Sequence, residues 1–337
     1  MTTQEPDASQ SEFALIDRII ARLGDAAASD ILVAPGDDAA AWIPVGGAVV
    51  ASTDTIAEGT HWRPGLLTMA DVGWRAVATS VSDLAAMGAT PQVILIAASL
   101  GPAVTLDELD ELIDGMAEAC IAHDVKVAGG DVVRGRSTSF TITALGGARL
   151  DRASRAMVMR RDAAQVGDAV AVSGAPGAAA TGLRLAERGI EESPATTEAL
   201  TAWRRPRART ELGLAAENLG VPCAIDVSDG LVQDLGHIAE RSGVGIEIDL
   251  DALPLPTSAV ATFGSEEARD LVLAGGDDYE LVLVARHSVL EALEGVTIIG
   301  HVVDTHPGEV VVRQGDGAPY PIPSGWDQLR AWPLSQH

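Results

Sequence analysis

Lys126 is the only lysine in 337 residues, and the other basic side chains among its 23 are all arginine. A phosphate loop of the G-x-x-x-x-G-K-[ST] type is therefore absent, as is the protein-kinase set of glycine-rich loop, strand lysine and H-R-D triplet. The two cysteines, Cys120 and Cys223, are too few for a disulfide framework, lie in apolar segments and have no CxxC partner. They read as buried reduced thiols. No two of the seven histidines share the i, i+4 spacing of a helical zinc pair, which argues against zinc. Aromatic residues make up only 3%, so Ala, Val, Leu and Ile must build the core. No apolar run approaches the ~20 residues of a membrane span. The start, Met1 to Ser11, lacks the basic and apolar regions of a secretory signal, so the expected location is cytoplasmic. A formal charge of −25 argues against an extended nucleic-acid surface, which needs clustered Lys and Arg.

Carboxylates set among small residues are plentiful. Gly36-Asp37-Asp38, Ser52-Thr53-Asp54, Ser82-Asp83, Gly129-Gly130-Asp131, Asp226-Val227-Ser228-Asp229-Gly230 and Gly275-Gly276-Asp277-Asp278 recur across both halves. Small neighbours let backbone amides and carboxylates approach a ligand closely, and carboxylates without Cys or His partners suit hard cations such as Mg²⁺. Each motif alone reads more readily as a turn or a helix cap, Asp37-Asp38 as an Asx turn and Asp229 as an N-cap. Six of them beside element ends favour metal-bridged phosphate chemistry. His61, just after Asp54, serves equally as a ligand contact or a loop histidine. The Asp-x-Asp-x-Thr pattern of aspartyl-phosphate enzymes is missing, which argues against a phosphoenzyme.

Along the chain, residues 1–11 are expected to be disordered, 12–157 to form one α/β domain and 158–337 a second, with the break in the polar, Arg-rich stretch from Met157 to Asp168. Phe13, Ile16, Ile19, Ile20 and Leu23 predict a helix stopped at Gly24. Ile31 to Ala34 and Ala48 to Ser52 predict short strands, with the first two Asp motifs at their ends or in the loops that follow. Asp71 to Met87 predicts a helix closed by Gly88, with Asp83 in its last turns. Val93 to Leu100 predicts a strand, and Thr105-Leu106-Asp107-Glu108 a capping box opening the next helix. Val125 to Ala128 predicts a strand running straight into Gly129-Gly130-Asp131 at a strand-to-loop junction. Phe140 to Leu145 predicts another. In the second half, Ala178 to Arg188, Ala208 to Leu219 and Leu231 to Arg241 read as helices. Ala224 to Val227 and Gly245 to Leu250 read as strands. Ala274-Gly275-Gly276-Asp277 echoes Ala128-Gly129-Gly130-Asp131, and Ser228-Asp229 echoes Ser82-Asp83.

Read in order, the Asp motifs together with Gly59-Thr60-His61-Trp62, Leu84 to Ala89, Asp234-Leu235-Gly236-His237 and Tyr279-Glu280-Leu281 resemble the thiamine-monophosphate kinase family. That family belongs to the aminoimidazole ribonucleotide synthetase-like superfamily. The resemblance covers most of the chain. It implies a mixed α/β, two-domain architecture whose N-terminal domain binds ATP and Mg²⁺ and pairs across a homodimer. The implied reaction is direct in-line transfer of the γ-phosphoryl group of ATP to thiamine monophosphate, assisted by several Mg²⁺ ions and without a side-chain acid or base. By position, Asp38, Ser52, Thr53, Asp54, Asp83, Asp131, Asp226 and Asp229 resemble metal ligands. Gly130, Asp131, Arg161 and Ser228 match ATP-contacting positions, with Arg160 a one-residue alternative to Arg161. His61, Asp277 and Trp326 correspond to substrate-contacting positions. Many relatives carry Glu where Asp277 stands, so a contact there would span one more methylene. The competing readings are another ATP-dependent synthetase of the superfamily, of the cyclising purine type, and a nucleotide-binding regulatory module without turnover.

Overall fold

The computed structural model describes residues 12–35 and 39–322. The Asp37-Asp38 pair, Trp326 and the N-terminal stretch 1–11 lie outside the described residues. The chain divides into two compact units. One comprises Met1–Leu84 and Ala89–Met157, the other Ala85–Gly88 and Val158–His337.

In the first unit, helix α1 (Glu12–Leu23) precedes strand β1 (Gly47–Ala57). Helix α2 (Met69–Ala86), strand β2 (Thr90–Leu100), helix α3 (Leu106–Ala122), strand β3 (Lys126–Arg134) and strand β4 (Ser139–Arg149) follow. The sheet order is β1-β4-β2-β3. β2 and β3 run parallel because α3 carries the chain back between them, and β4 is antiparallel to both β1 and β2. The capping box forms as its sequence predicts: Glu108 N–H donates to Thr105 Oγ1 at 3.2 Å, and Thr105 N–H to Glu108 Oε2 at 2.9 Å. Gly115 is required for the α2–α3 approach, since a Cβ there would collide with the backbone of Ala70. Side chains alternate between the two faces of a strand. Phe140, Ile142 and Ala144 are buried on one face, where Ser80 of α2 donates to the Ile142 carbonyl at 3.2 Å. The other face, carrying Val49 (55% exposed), Thr53, Thr55, Leu95 and Val133 (51% exposed), is open.

Three expectations need correction. Ile31 to Ala34 forms no strand and holds one isolated bridge, Val33 to Ala41, because so short a segment has no neighbouring strand to extend the pairing. The strand expected over Ala48 to Ser52 runs on to Ala57, so Thr53 and Asp54 lie inside it rather than at its end. Pairing with β4 continues through Asp54 and Ile142 to Ala57 and Ser139, which outweighs the weak strand propensity of Asp. Gly129-Gly130-Asp131 likewise lies within β3, in register with Leu95, Ile96 and Ala97 of β2. A register shift between Ile94 and Leu95 accommodates one extra residue on β3, Ala128, just ahead of the glycines.

The second unit has strand β5 (Ala169–Ser173), helices α4 (Ala178–Glu187), α5 (Thr197–Arg204) and α6 (Thr210–Asn218), and strand β6 (Cys223–Asp226). Helix α7 (Leu231–Ser242), strand β7 (Gly245–Asp249) and helices α8 (Thr257–Phe263) and α9 (Ser265–Ala274) come next. Strands β8 (Leu281–Ala285), β9 (Val296–Val303) and β10 (Val310–Arg313) complete a sheet of order β10-β7-β9-β5-β8-β6. Only β7 and β10 pair in parallel. The core is aliphatic, as the scarcity of aromatics requires. Val170, Val172, Ile225, Ile246, Val282 and Ile299 pack with Leu231, Leu235 and Ile238 of α7, all at most 1% exposed. Full burial of such a side chain is worth about 1.5–3 kcal/mol. Cys120 and Cys223 are buried free thiols, and burial pushes each up to about 12. No described helix is long and apolar enough to cross a membrane.

Candidate active site

In the first unit the predicted residues fall into four places. Alternation puts Ser52 and Asp54 on the side of β1 that bears the buried Ile56. There Ser52 Oγ donates to Asp83 Oδ2 near the end of α2, and Asp54 is half-buried with its Oδ2 shielded from solvent. Thr53 points to the other face, where its hydroxyl meets Thr143 Oγ1 at 3.1 Å and the Ile142 carbonyl at 3.3 Å. Gly130 and Asp131 occupy β3 at the far edge of the sheet. Asp131 aligns with Ala97, Thr141 and Thr55, so it shares the open face with Thr53 rather than that of Asp54. Two strands separate it from β1, or three interstrand steps of about 4.8 Å each. His61 lies in the turn after β1, where its Nδ1 accepts the Ala57 N–H at 3.0 Å.

In the second unit, two loops are laced together by their backbones. Val227 N–H donates to the Glu280 carbonyl, Asp277 N–H to the Ser228 carbonyl and Tyr279 N–H to the Val227 carbonyl, each at 2.8 Å. This brings Asp226, Ser228 and Asp229 beside Asp277. Gly276 permits the approach, because a Cβ there would lie 2.5 Å from the Ser228 carbonyl oxygen. Asp277 itself takes a left-handed backbone, with φ of 66°, and its Oδ1 accepts the Tyr279 hydroxyl at 3.1 Å. Arg161 is exposed, and its carbonyl accepts the Ser242 hydroxyl at 2.9 Å. The Arg160 guanidinium is engaged by Asp162, with Nε to Oδ1 at 2.8 Å.

Three residues outside the sequence-derived site hold these loops. Asp234, 2% exposed in the first turns of α7, accepts the N–H groups of Ser228, Asp229 and Gly230 through one oxygen at 3.0, 3.1 and 3.2 Å. Burial pushes its carboxyl up to about 7, reinforced by the charges of Asp226 and Asp229 and opposed by N–H groups of that loop. Asp278 accepts Gly177 N–H at 2.5 Å and Ala179 N–H at 2.9 Å, at the start of α4, where the helix dipole favours a carboxylate. Burial nevertheless pushes its carboxyl up to about 8. Glu280, 6% exposed, receives Ser173 Oγ and a two-pronged contact from Arg209, with Nε at 2.7 Å. Asp278 and Glu280 depend on partners distant in sequence, whereas those of Asp234 lie only four to six residues upstream; the Gly-Gly-Asp-Asp pattern could have pointed to Asp278 and Asp-Leu-Gly-His to Asp234.

The donors suit a hard cation. Carboxylate and hydroxyl oxygens dominate both groups, and one ligand atom from each of Asp229, Asp234 and His237 falls within 4.8 Å of the others. Ser52, Asp54 and Asp83 add a second set of oxygens on one side of β1.

Residues 36–148 match the family model of the AIR synthase related protein, N-terminal domain, and residues 165–313 that of the AIR synthase related protein, C-terminal domain. The chain thus belongs to the AIR synthase related proteins. Within them it is similar over nearly its full length to thiamine-monophosphate kinases. It is 34% identical over 333 residues to the thiamine-monophosphate kinase of Mycobacterium tuberculosis (strain H37Rv), covering 98% of this chain and 95% of the relative. The crystal structure of thiamine-monophosphate kinase from Stenotrophomonas maltophilia K279a superposes with a TM-score of 0.79 at 38% identity, over 92% of this chain and 98% of that one. The solved structure of AaThiL complexed with AMPPCP and TMP gives a TM-score of 0.74 at 28% identity, over 96% and 99%.

Proposed function

We propose that the chain is an ATP-dependent kinase that phosphorylates thiamine monophosphate to thiamine diphosphate. The observation that carries this reading is the near full-length match to thiamine-monophosphate kinases, coinciding with two groups of oxygen donors in the folded chain. The matched relatives include a complex holding AMPPCP and TMP together.

An acidic chain must bring two anionic substrates into contact, and their repulsion in a partly dry site is severe. Mg²⁺, when bound, supplies the charge neutralisation that lets the phosphates meet. Ser52, Asp54 and Asp83 on one side of β1, Thr53 on the other face of β1, Asp131 on that same face of the sheet but at its far edge in β3, Asp226 and Asp229 in the second unit, and Asp38 would provide the ligands. Gly130, Asp131, Arg161 and Ser228 would contact ATP, while His61, Asp277 and Trp326 would contact thiamine monophosphate. The acceptor phosphate oxygen is already anionic near neutral pH, its second pKa lying at about 6. These residues therefore need to orient the attacking oxygen in line and exclude water, not remove a proton. The open, partly apolar face of the first unit's sheet supports pairing of N-terminal units in a homodimer. A cytoplasmic location fits the substrates.

The test is ADP formation from ATP and thiamine monophosphate with and without Mg²⁺, the thiamine product being identified by chromatography. Thiamine diphosphate made only from the monophosphate, and only with Mg²⁺, is expected. ATP binding with no such product would overturn the reading.

A further inference from the structure

We infer that Asp234 is a positioning residue: its buried carboxylate fills a cradle of three consecutive backbone N–H groups, fixing the loop from which Ser228 and Asp229 meet metal and nucleotide. The inference rests on the proposed kinase reading for the ligands, and on geometry for the rest.

Three successive N–H groups converging on one point form the kind of concavity that binds anions. Here the anion is internal. A single Asp234 oxygen receives Ser228 at 3.0 Å, Asp229 at 3.1 Å and Gly230 at 3.2 Å. The same residue's N–H donates to the Gly230 carbonyl at 2.9 Å, so the start of α7 and the loop close on each other from both ends. Gly230 supplies no side-chain cap, and its φ of 127° together with the nearby Ala274 backbone leaves little room for one. A capping role therefore falls to the carboxylate one turn inside the helix. Two further carbonyls of the loop are taken as well: Val227 by Tyr279 N–H and Ser228 by Asp277 N–H. The backbone carrying Ser228 and Asp229 is thus held before any ligand arrives, and the groups that act on charge in the reaction need no reordering.

Asp234 faces Asp226 and Asp229 from its own loop, and His237 lies one turn further along α7. A carboxylate buried beside two others costs stability in the absence of metal.

The experiment compares the parental chain with Asp234→Ala, Asp234→Asn and Asp234→Glu. In metal-free protein, hydrogen exchange of the Ser228, Asp229 and Gly230 amides should be about 10-fold faster in Asp234→Ala, since charge-assisted bonds are lost, while amides of β7 and β9 keep their rates. Mn²⁺ binding in the presence of a non-hydrolysable ATP analogue, followed by electron paramagnetic resonance, should weaken about 10–100-fold, as outer partners of ligands typically do. For turnover, kcat should fall while KM for thiamine monophosphate stays near parental. Asp234→Asn, which keeps one acceptor oxygen and nearly the same shape, should recover part of each effect and guards against a folding failure. Unchanged exchange at residues 228–230 in Asp234→Ala would overturn the inference, as would faster exchange with parental Mn²⁺ binding. If the parental chain makes no thiamine diphosphate, the kinase reading falls and the exchange and Mn²⁺ readings still decide the role of Asp234.

Discussion

Ser52 Oγ donates a hydrogen bond to Asp83 Oδ2, tying the middle of β1 to the last turns of α2. The Asp83 carboxylate sits where the helix dipole disfavours negative charge, so the fold spends stability to keep it there. Asp83→Asn keeps the shape and an acceptor for Ser52 but loses the charge. With its charge gone, kcat for thiamine diphosphate formation should drop about 100-fold or more, as when one electrostatic partner of a transition state is removed. The melting temperature of the metal-free protein should stay within about 4 °C, equivalent to roughly 1 kcal/mol. Asp131→Asn should behave alike. Near-parental turnover at saturating Mg²⁺ in either variant would remove that residue from the ligand set.

The acceptance of the Ala57 N–H by His61 Nδ1 leaves the proton of the neutral ring on Nε2, making it a donor suited to a phosphate oxygen. His61→Ala should therefore raise KM for thiamine monophosphate about 10-fold, the order expected for a lost hydrogen bond to an ionised group, with little change in KM for ATP. Steady-state kinetics with each substrate varied in turn decides it, and a defect confined to ATP would contradict the assignment.

Local signals were legible in the sequence, and so was the set of Asp motifs. The capping box at Thr105 and Glu108 appears where its spacing predicts, because both partners lie within one turn. Positions that depend on pairing were not legible. Asp54 and Asp131 read as loop residues because Asp and Gly disfavour strands, yet β4 and β2 hold them in register. The Gly-Gly-Asp echo is also one of sequence only: Gly129 to Asp131 lie inside β3, whereas Gly275 to Asp277 form the loop before β8. Likewise Ser82 and Asp83 are helical, and Ser228 and Asp229 precede a helix. Two supports of the second loop, Asp278 and Glu280, stayed invisible as such because their partners at Gly177, Ser173 and Arg209 come together only in the fold, while Asp234 is met by amides only four to six residues upstream.

Asp278 gives the metal-free protein a pH signature. Burial holds its carboxyl at about 8 against an ordinary 3.8. The folded state then keeps a proton that the unfolded chain has released, so the group's stabilising contribution is full below 3.8 and is lost as pH rises through about 8. Thermal melting in chelator should accordingly show stability declining from pH 5 to pH 8, in part through this group. Asp278→Asn is neutral throughout and should flatten that slope. A slope identical to the parental one would mean that Asp278 is ionised in the fold.

Arg209 and Glu280 form the remaining support, and their coupling is measurable. The carboxylate takes Arg209 Nε at 2.7 Å, a second guanidinium nitrogen and the Ser173 hydroxyl, which in turn accepts Leu281 N–H at 2.9 Å. Glu280's side chain is 8% exposed and that of Arg209 is 41% exposed, so the partners differ in what their loss leaves behind. Removing Arg209 strands a buried charge. Arg209→Ala should cost about 2–3 kcal/mol in urea unfolding, less than a fully buried pair because water reaches the guanidinium side. Glu280→Gln leaves a guanidinium that solvent can hydrate and should cost less. In the double variant the stranded charge is gone, so the two effects should not add; a coupling of about 1–2 kcal/mol is expected for groups in direct contact. Because the Glu280 carbonyl receives the Val227 N–H at 2.8 Å, Arg209→Ala should also loosen the loop carrying Ser228 and lower kcat in the folded fraction. Strict additivity in the unfolding cycle, with parental kcat, would show that the pair neither holds Glu280 nor transmits to that loop.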